Sequence, residues 1–321
     1  MKGKSMVKFL LSKNEIGTLL PLVIMAIVVG SINRNFLSIG NIIDILRTTS
    51  FTFIVAAPLT FLLIAADMDL SIGAVTSLGG IVAAFALKAG LPVPGAILLA
   101  LGAGAAAGLI KAFIIVYGAL PAFIVTLGLQ YVFNGIISIT TQGMPISGFP
   151  DSFKILGQAR LFGIIHYTIL FAIVVGIVFY VLLTKTKFGR SVFAVGGNVE
   201  TAYLAGINVK RVQITIHVMV SVFSALAGVL MASRFASAQA NAGSGTELII
   251  MAAVIIGGTS LFGGVGTVVG SAIGCVLLVV ISNGLILMRI PSFWQNLIYG
   301  LILLISIAID KYRQKINQAG Q

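Results

Sequence analysis

TKTKFGRSVFAVGGNVETAYLAGINVKR, residues 184–211, is a polar, basic island in a chain that is otherwise nearly continuous hydrocarbon. It sets Lys185, Lys187, Arg190, Lys210 and Arg211 against one acid, Glu200. Its centre alternates small and apolar residues in a way that suits a short helix, which a solvated connector does not need. An ordered, positively charged loop between apolar segments is expected to be presented to a partner.

Outward from the island, composition sets the class. Of 321 residues, 59% are hydrophobic and only 9% are charged, leaving too little polar surface to cover a soluble globule. The chain is therefore expected to be an all-α integral membrane protein. A net charge of +12 raises nucleic acid as a partner, but no basic run is interleaved with aromatics, so that partner is set aside. The single cysteine, Cys275, lies in an apolar run and forms no internal disulfide. No GxxxxGK[ST] phosphate loop is present, so the chain does not itself hydrolyse ATP. His166 and His217 stand apart in sequence, and no Cys/His cluster or Ser/His/Asp arrangement has the spacing of a metal or catalytic site. Neither a catalytic residue nor a bound metal or cofactor is expected.

At roughly 20 residues per crossing, candidate spans fall near 16–32, 50–66, 70–87, 93–110, 121–140, 164–183, 213–233, 247–262, 266–288 and 292–309. That makes about ten transmembrane helices. Lys2, Lys4, Lys8 and Lys13 precede the first span, but no small-residue cleavage site follows, so it reads as a retained helix. With an even count and a cytoplasmic N-terminus, the inside segments hold those lysines, Lys111, the island bases, Lys311, Arg313 and Lys315. The outside segments hold Arg34, Arg47, Lys88, Lys154, Arg160, Arg234 and Arg289. The excess lies inside, so both termini and the island are expected in the cytoplasm.

Several spans carry glycine or proline. Gly104 with Gly108, and the series Gly266, Gly270, Gly274, place small residues four apart for close helix packing. Pro58, Gly79-Gly80, Gly257-Gly258 and Gly263-Gly264 lead to the expectation that several helices are broken at membrane depth. Breaks of that kind are tolerated where the backbone lines a cavity or is covered by protein, as in many transporters. Polar residues in the spans are few. Asp67 and Asp69 flank Met68 ahead of Ser71, either in a solute path or capping the helix that begins there. Glu247 has the same two readings. Gln130 and Asn134, one turn apart on one face, can meet a polar solute or a neighbouring helix. Trp294 and Tyr299 read as packing or interface residues.

Four stretches carry a resemblance over about residues 35–310: Asp69-Leu-Ser-Ile-Gly73; Leu120-Pro-Ala-Phe-Ile-Val-Thr-Leu127; Gly189-Arg190 with Ala194-Val-Gly-Gly-Asn198 and Leu204-Ala-Gly-Ile-Asn208; and Gly243-Ser-Gly-Thr-Glu-Leu248 running into Ala252-Ala-Val-Ile-Ile-Gly-Gly-Thr-Ser-Leu261 and Gly263-Gly264. In this order they resemble the permease subunits of bacterial monosaccharide ABC importers, within the branched-chain amino acid and sugar permease superfamily.

The resemblance implies a single transmembrane permease domain over residues 1–321, in the bacterial cytoplasmic membrane, with 184–211 as its cytoplasmic coupling loop. It implies a second permease chain, identical or different, a cytoplasmic ATP-binding-cassette ATPase that holds the ATP and Mg²⁺, and an extracytoplasmic binding protein that delivers the sugar. The coupling region maps to Gly197–Gly206, with Gly197, Asn198, Glu200, Ala202, Leu204 and Gly206 making or shaping the ATPase contact. The solute path would draw on Asp67, Asp69, Ser71, Gln130, Asn134 and Glu247. Two departures stand out: Asp67 replaces the family's usual glycine, and Ile249 stands where an Asp usually follows Glu-Leu, as though an acid had moved between lining segments. Alternatives are an ABC permease for nucleosides or branched-chain amino acids, and a secondary sugar symporter drawing on the Asp67/Asp69 pair.

Overall fold

A computed structural model describes residues 14–319. The lysines expected ahead of the first span therefore lie outside the described residues. The helices, in chain order, are α1 (Asn14–Ile32), α2 (Ile39–Ile64), α3 (Ile72–Lys88), α4 (Val93–Gly118), α5 (Ala122–Thr141), α6 (Asp151–Gln158), α7 (Tyr167–Lys185), α8 (Lys187–Gly197), α9 (Val199–Leu204), α10 (Val209–Phe235), α11 (Thr246–Ile256), α12 (Val268–Leu287) and α13 (Ser292–Ala319). Among the described residues six of these, α2, α4, α5, α7, α10 and α12, are long and apolar enough to cross a membrane. The apolar helices Pro21–Ile32, Ile72–Lys88, Thr246–Ile256 and Phe293–Ile305 are shorter. The protein is a helical, multi-pass membrane protein; the expected segments overlap helices, but the one at 247–262 runs past its helix, which ends at Ile256.

The bundle is organised around α10, which packs on α2, α3, α4 and α6. Its crossings are glycine crossings. Gly79 and Gly80 of α3 lie against the backbone of Ala225 and Gly228, while Gly104 and Gly108 of α4 lie against α10 between His217 and Ala225. A Cβ on Gly228 would overlap the Thr76 carbonyl. In a bilayer, lipid is as apolar as leucine, so association depends on such close backbone packing.

This corrects two expected breaks. The α3 helix is continuous through Gly79-Gly80, whose lack of a side chain serves contact with α10. Pro58 likewise sits inside the unbroken α2; residues 53–64 are buried, and surrounding helices hold the geometry that the missing N–H weakens. Gly266 also precedes α12 instead of belonging to its face, where Gly270 and Gly274 pack on Gly257 and Ala253.

True interruptions occur at two places. Between α2 and α3, residues 65–71 are irregular, with Ala66 at φ 60°. After α11, which ends at Ile256, Gly258, Gly263 and Gly264 all have positive φ, a conformation open to glycine. The two interruptions meet: the Gly264 N–H donates to the Ile64 carbonyl at 2.8 Å. Gly196 of α8 fits against that same carbonyl, where no Cβ has room.

At the end of the bundle away from the island, four two-residue strands form. β1 (Ile146–Ser147) pairs antiparallel with β4 (Ser237–Ala238), Ile146 facing Ala238, and β2 (Arg160–Leu161) pairs with β3 (Ile165–His166). The first pair ties the segment after α5 to the end of α10. Leu120-Pro121 and Ile290-Pro291 share a local device. Each follows a residue in the left-handed region, Ala119 or Arg289, and each leads straight into a new helix, where proline lacks nothing the first turn requires.

Gly228→Leu should lower stability by at least about 3 kcal/mol, because α10 must separate from α3. Gly102→Leu, at a position with no atom within 4 Å of an added Cβ, should leave it unchanged. Thermal unfolding of the purified chain in mild detergent reads both.

Candidate functional site

The break at residues 65–71 gathers the polar groups of the bundle. Asp69 is fully buried. Its Oδ1 accepts from the Ser71 N–H at 2.8 Å and from the Ser71 hydroxyl at 2.6 Å, so the carboxylate caps the start of α3. Its Oδ2 pairs with Lys111 of α4, and the Lys111 ammonium also reaches the Ser71 hydroxyl at 3.2 Å. Lys111 is 0% exposed. It is therefore not the inside topology charge expected from its position. An isolated ammonium in hydrocarbon is costly, and the carboxylate of the broken loop is what holds it there.

Asp67 has its own partner. Its Oδ2 lies 3.0 Å from Nε2 of His217 on α10, and its Oδ1 accepts from the Met68 N–H at 2.9 Å. His217, apart in sequence, is thus not isolated in space. The acid that replaces the usual glycine engages α10, while Ile249 packs on the apolar core. The Leu70 N–H donates to the Thr126 hydroxyl of α5 at 3.1 Å, which satisfies another backbone group freed by the break.

One turn along α3, Gly73 meets the irregular chain entering α11. A Cβ there would overlap both the Gly243 carbonyl and the Glu247 carboxylate. Glu247, nearly buried in the first turn of α11, accepts from the Gln130 amide of α5 at 3.0 Å through Oε1, and its Oε2 is buried without a hydrogen bond. A further turn up, the Ser77 hydroxyl accepts from the Gly243 N–H at 3.0 Å. Asn134 is half-buried one turn beyond Gln130. Asp69, just ahead of α3, and Gly73 and Ser77 on α3 follow one another at four-residue spacing and line a polar column, with Lys111, Glu247 and the Gly243 backbone facing them in turn. Asp67 stands beside its foot. Sequence reasoning missed Lys111, His217 and Ser77; the usable signal was that a membrane carboxylate needs a cation nearby.

The island folds into two helices instead of the one expected. Thr186 caps α8, and Asn198 both ends α8 and caps α9, its Oδ1 accepting from the Thr201 N–H at 2.8 Å. Gly206, at φ 80°, closes α9: its N–H bonds the Tyr203 carbonyl and the Ile207 N–H bonds the Ala202 carbonyl, the paired bonds of a Schellman turn. Ala202 is buried and anchors α9, while Tyr203 and Leu204 are 71% and 78% exposed. Val199, Gly197 and Glu200 are also exposed. The capped helix thus exposes two large apolar side chains beside basic residues. The preceding helix, α8, is seated through Gly196 on the Ile64 carbonyl, three residues from Asp67.

A glycine-crossed helical membrane bundle with broken helices, a buried polar column and an ordered polar loop defines a permease. The chain belongs to the family of permease components of the branched-chain amino acid transport system, which it matches over residues 41–307. Members of this family are transport subunits, not enzymes. It is 37% identical to a ribose import permease of Haemophilus influenzae over 295 residues, 91% of each chain, and 36% identical to a ribose import permease of Bacillus subtilis over 299 residues, 92% of each. A galactose/methyl galactoside import permease of Haemophilus influenzae is 33% identical over 327 residues, 95% of this chain and 96% of that one. No solved structure matches it.

Asp69→Asn and Lys111→Met, made singly, each leave a buried charge unpaired and should cost about 3–5 kcal/mol. The double substitution should recover most of the loss. Folded yield in membranes and thermal unfolding of the four proteins, wild type included, measure the coupling.

Proposed function

We propose that the chain is the membrane-spanning subunit of an ATP-binding-cassette importer for a monosaccharide, ribose or a close relative, in the bacterial cytoplasmic membrane. The whole chain serves as one permease domain. It crosses the membrane ten times, the four shorter apolar helices completing the six long ones, with both termini and the island in the cytoplasm. A second permease completes the path, an extracytoplasmic binding protein delivers the sugar, and an ATPase subunit binds ATP and Mg²⁺.

The observation that carries this reading is α9: a short, doubly capped helix on the basic island that exposes Tyr203 and Leu204. Two such side chains on the basic island, outside the long apolar helices, suit an ATPase surface. Asn198, Gly197, Glu200 and Gly206 shape the contact, and buried Ala202 fixes its angle. The sugar assignment is supported by the relatives, whose names specify ribose and galactose import.

Mechanically, ATP-driven closure of two ATPases would draw the coupling helices together. The displacement reaches the bundle where Gly196, Ile64 and Gly264 interlock, next to the loop that holds Asp67 and Asp69. Tilting that loop against α4 and α10 alternates access from one side to the other. Asp69, Ser71, Gln130, Asn134 and Glu247 border the route, Asp67 standing at its inner edge. Asp69 is paired with Lys111, and Asp67 lies 3.0 Å from the His217 ring.

Leu204→Asp with Tyr203→Asp should abolish copurification of a phosphate-loop ATPase and ATP-dependent sugar uptake, with the permease still present in the membrane. These positions are better probes than Gly206, where any side chain strains the turn. A wild-type chain that purifies without an ATPase, yet takes up sugar in vesicles lacking ATP, would establish a symporter instead.

A further inference from the structure

Above the polar column lies a cavity of about 340 Å³, between α3, α10 and the irregular segment that leads from β4 into α11. Its wall includes Thr76, Ser77, Phe235, Gln239, Asn241 and Ala242. Two other cavities on the bundle, one at Leu109 and Phe113, the other at Phe53 and Ile173, are lined almost wholly by apolar side chains and lie on helix surfaces. The cavity at Gln239 differs in kind. Residues 239–245 are irregular backbone, which a membrane protein tolerates at depth only where it is covered by protein or lines water.

The lining is chemically specific. Gln239 and Asn241 are exposed, and no hydrogen bond to a described residue engages either side-chain amide. An amide offers a donor and an acceptor at once, the pairing that a hydroxyl requires. Phe235 is 58% exposed, so its ring is available to the apolar face of a bound molecule. None of the lining side chains carries a charge. An amino acid, with its carboxylate and ammonium, would find no ionic partner there, while a neutral polyol would find amides, hydroxyls and one ring. The volume is at the small end of the roughly 300–1,000 Å³ of small-molecule sites. The floor is the Ser77–Gly243 hydrogen bond above the Gly73–Gly243 crossing, which closes the cavity toward the island end.

We propose that this cavity is a station for a monosaccharide within the chain, its hydroxyls taken by the Gln239 and Asn241 amides and its apolar face covered by Phe235. The proposal deepens the importer reading and rests on it for the solute class. Release toward the island end then requires residues 239–245 to part from α3 at Gly73 and Ser77.

The test uses the native cysteine content. Cys275 is fully buried, so Ala242→Cys in the full-length chain introduces the one accessible thiol among the described residues. Sealed vesicles of either orientation receive a charged, membrane-impermeant methanethiosulfonate, with or without ribose. Modification is expected from the side opposite the island. Ribose at ten times its half-protecting concentration should slow it about tenfold, and leucine should not. Gln239→Leu or Asn241→Leu, added separately to Ala242→Cys, should abolish protection while leaving modification intact; two variants keep the comparison if one fails to reach the membrane. A thiol that does not react, that reacts equally fast with ribose present, or that leucine protects instead would overturn the proposal. ATP-independent sugar uptake in the same vesicles would overturn the importer reading alone and leave protection by ribose standing.

Discussion

Asp69 holds three elements at one buried point. Its carboxylate caps α3 through the Ser71 N–H and hydroxyl, and it neutralises Lys111 from α4. In hydrocarbon each group would be expensive alone: an open helix start, an ionised acid and an ammonium. Together they satisfy one another, which lets the chain stop α2 and restart α3 inside the bundle. Everything above that point depends on the restart, because the register of α3 decides that Gly73, Ser77 and Gly80 face the chain around α10 and α11.

The glycines make the second condition. The α10 helix can reach α3 and α4 closely only where a Cβ is missing on at least one side, at Gly79, Gly80, Gly104, Gly108 and Gly228. Close crossing in the middle of α3 brings residues 239–245 alongside, and their irregular path leaves a space, bordered by amides and hydroxyls, large enough for a small solute. Tight packing and the open cavity thus have the same cause.

The island joins this interior through backbone contacts. The carbonyl of Ile64, the last residue of α2, accepts from Gly264 and abuts Gly196. Gly196 of α8 meets the Ile64 carbonyl three residues before Asp67, and Phe188 of α8 stacks on Phe61 of α2. Main chain against main chain at this point leaves little room for α8 and the loop between α2 and α3 to move independently.

The amino-acid sequence by itself determined the class and much of the architecture: a chain with so few charges must be helical and bilayer-bound, and the apolar runs located the helices. The island was legible as an ordered helical stretch because its small and apolar residues alternate locally, but its division into two helices at Asn198 and its closure at Gly206 came only with the structure. Pro58 and Gly79-Gly80 misled, since a glycine pair looks the same whether it breaks a helix or admits a neighbour, and only the position of α10 separates the two. Lys111 and His217 were unreadable for a related reason. Lys111 lies 42 residues from Asp69 and His217 lies 150 from Asp67, so each looked like a lone charge or a lone ring. Local propensity and hydropathy are properties of neighbouring residues and can be read along the chain. The pairing of buried charges, the choice between break and crossing, and the cavity are properties of helices packed at a distance, and tertiary structure alone decided them.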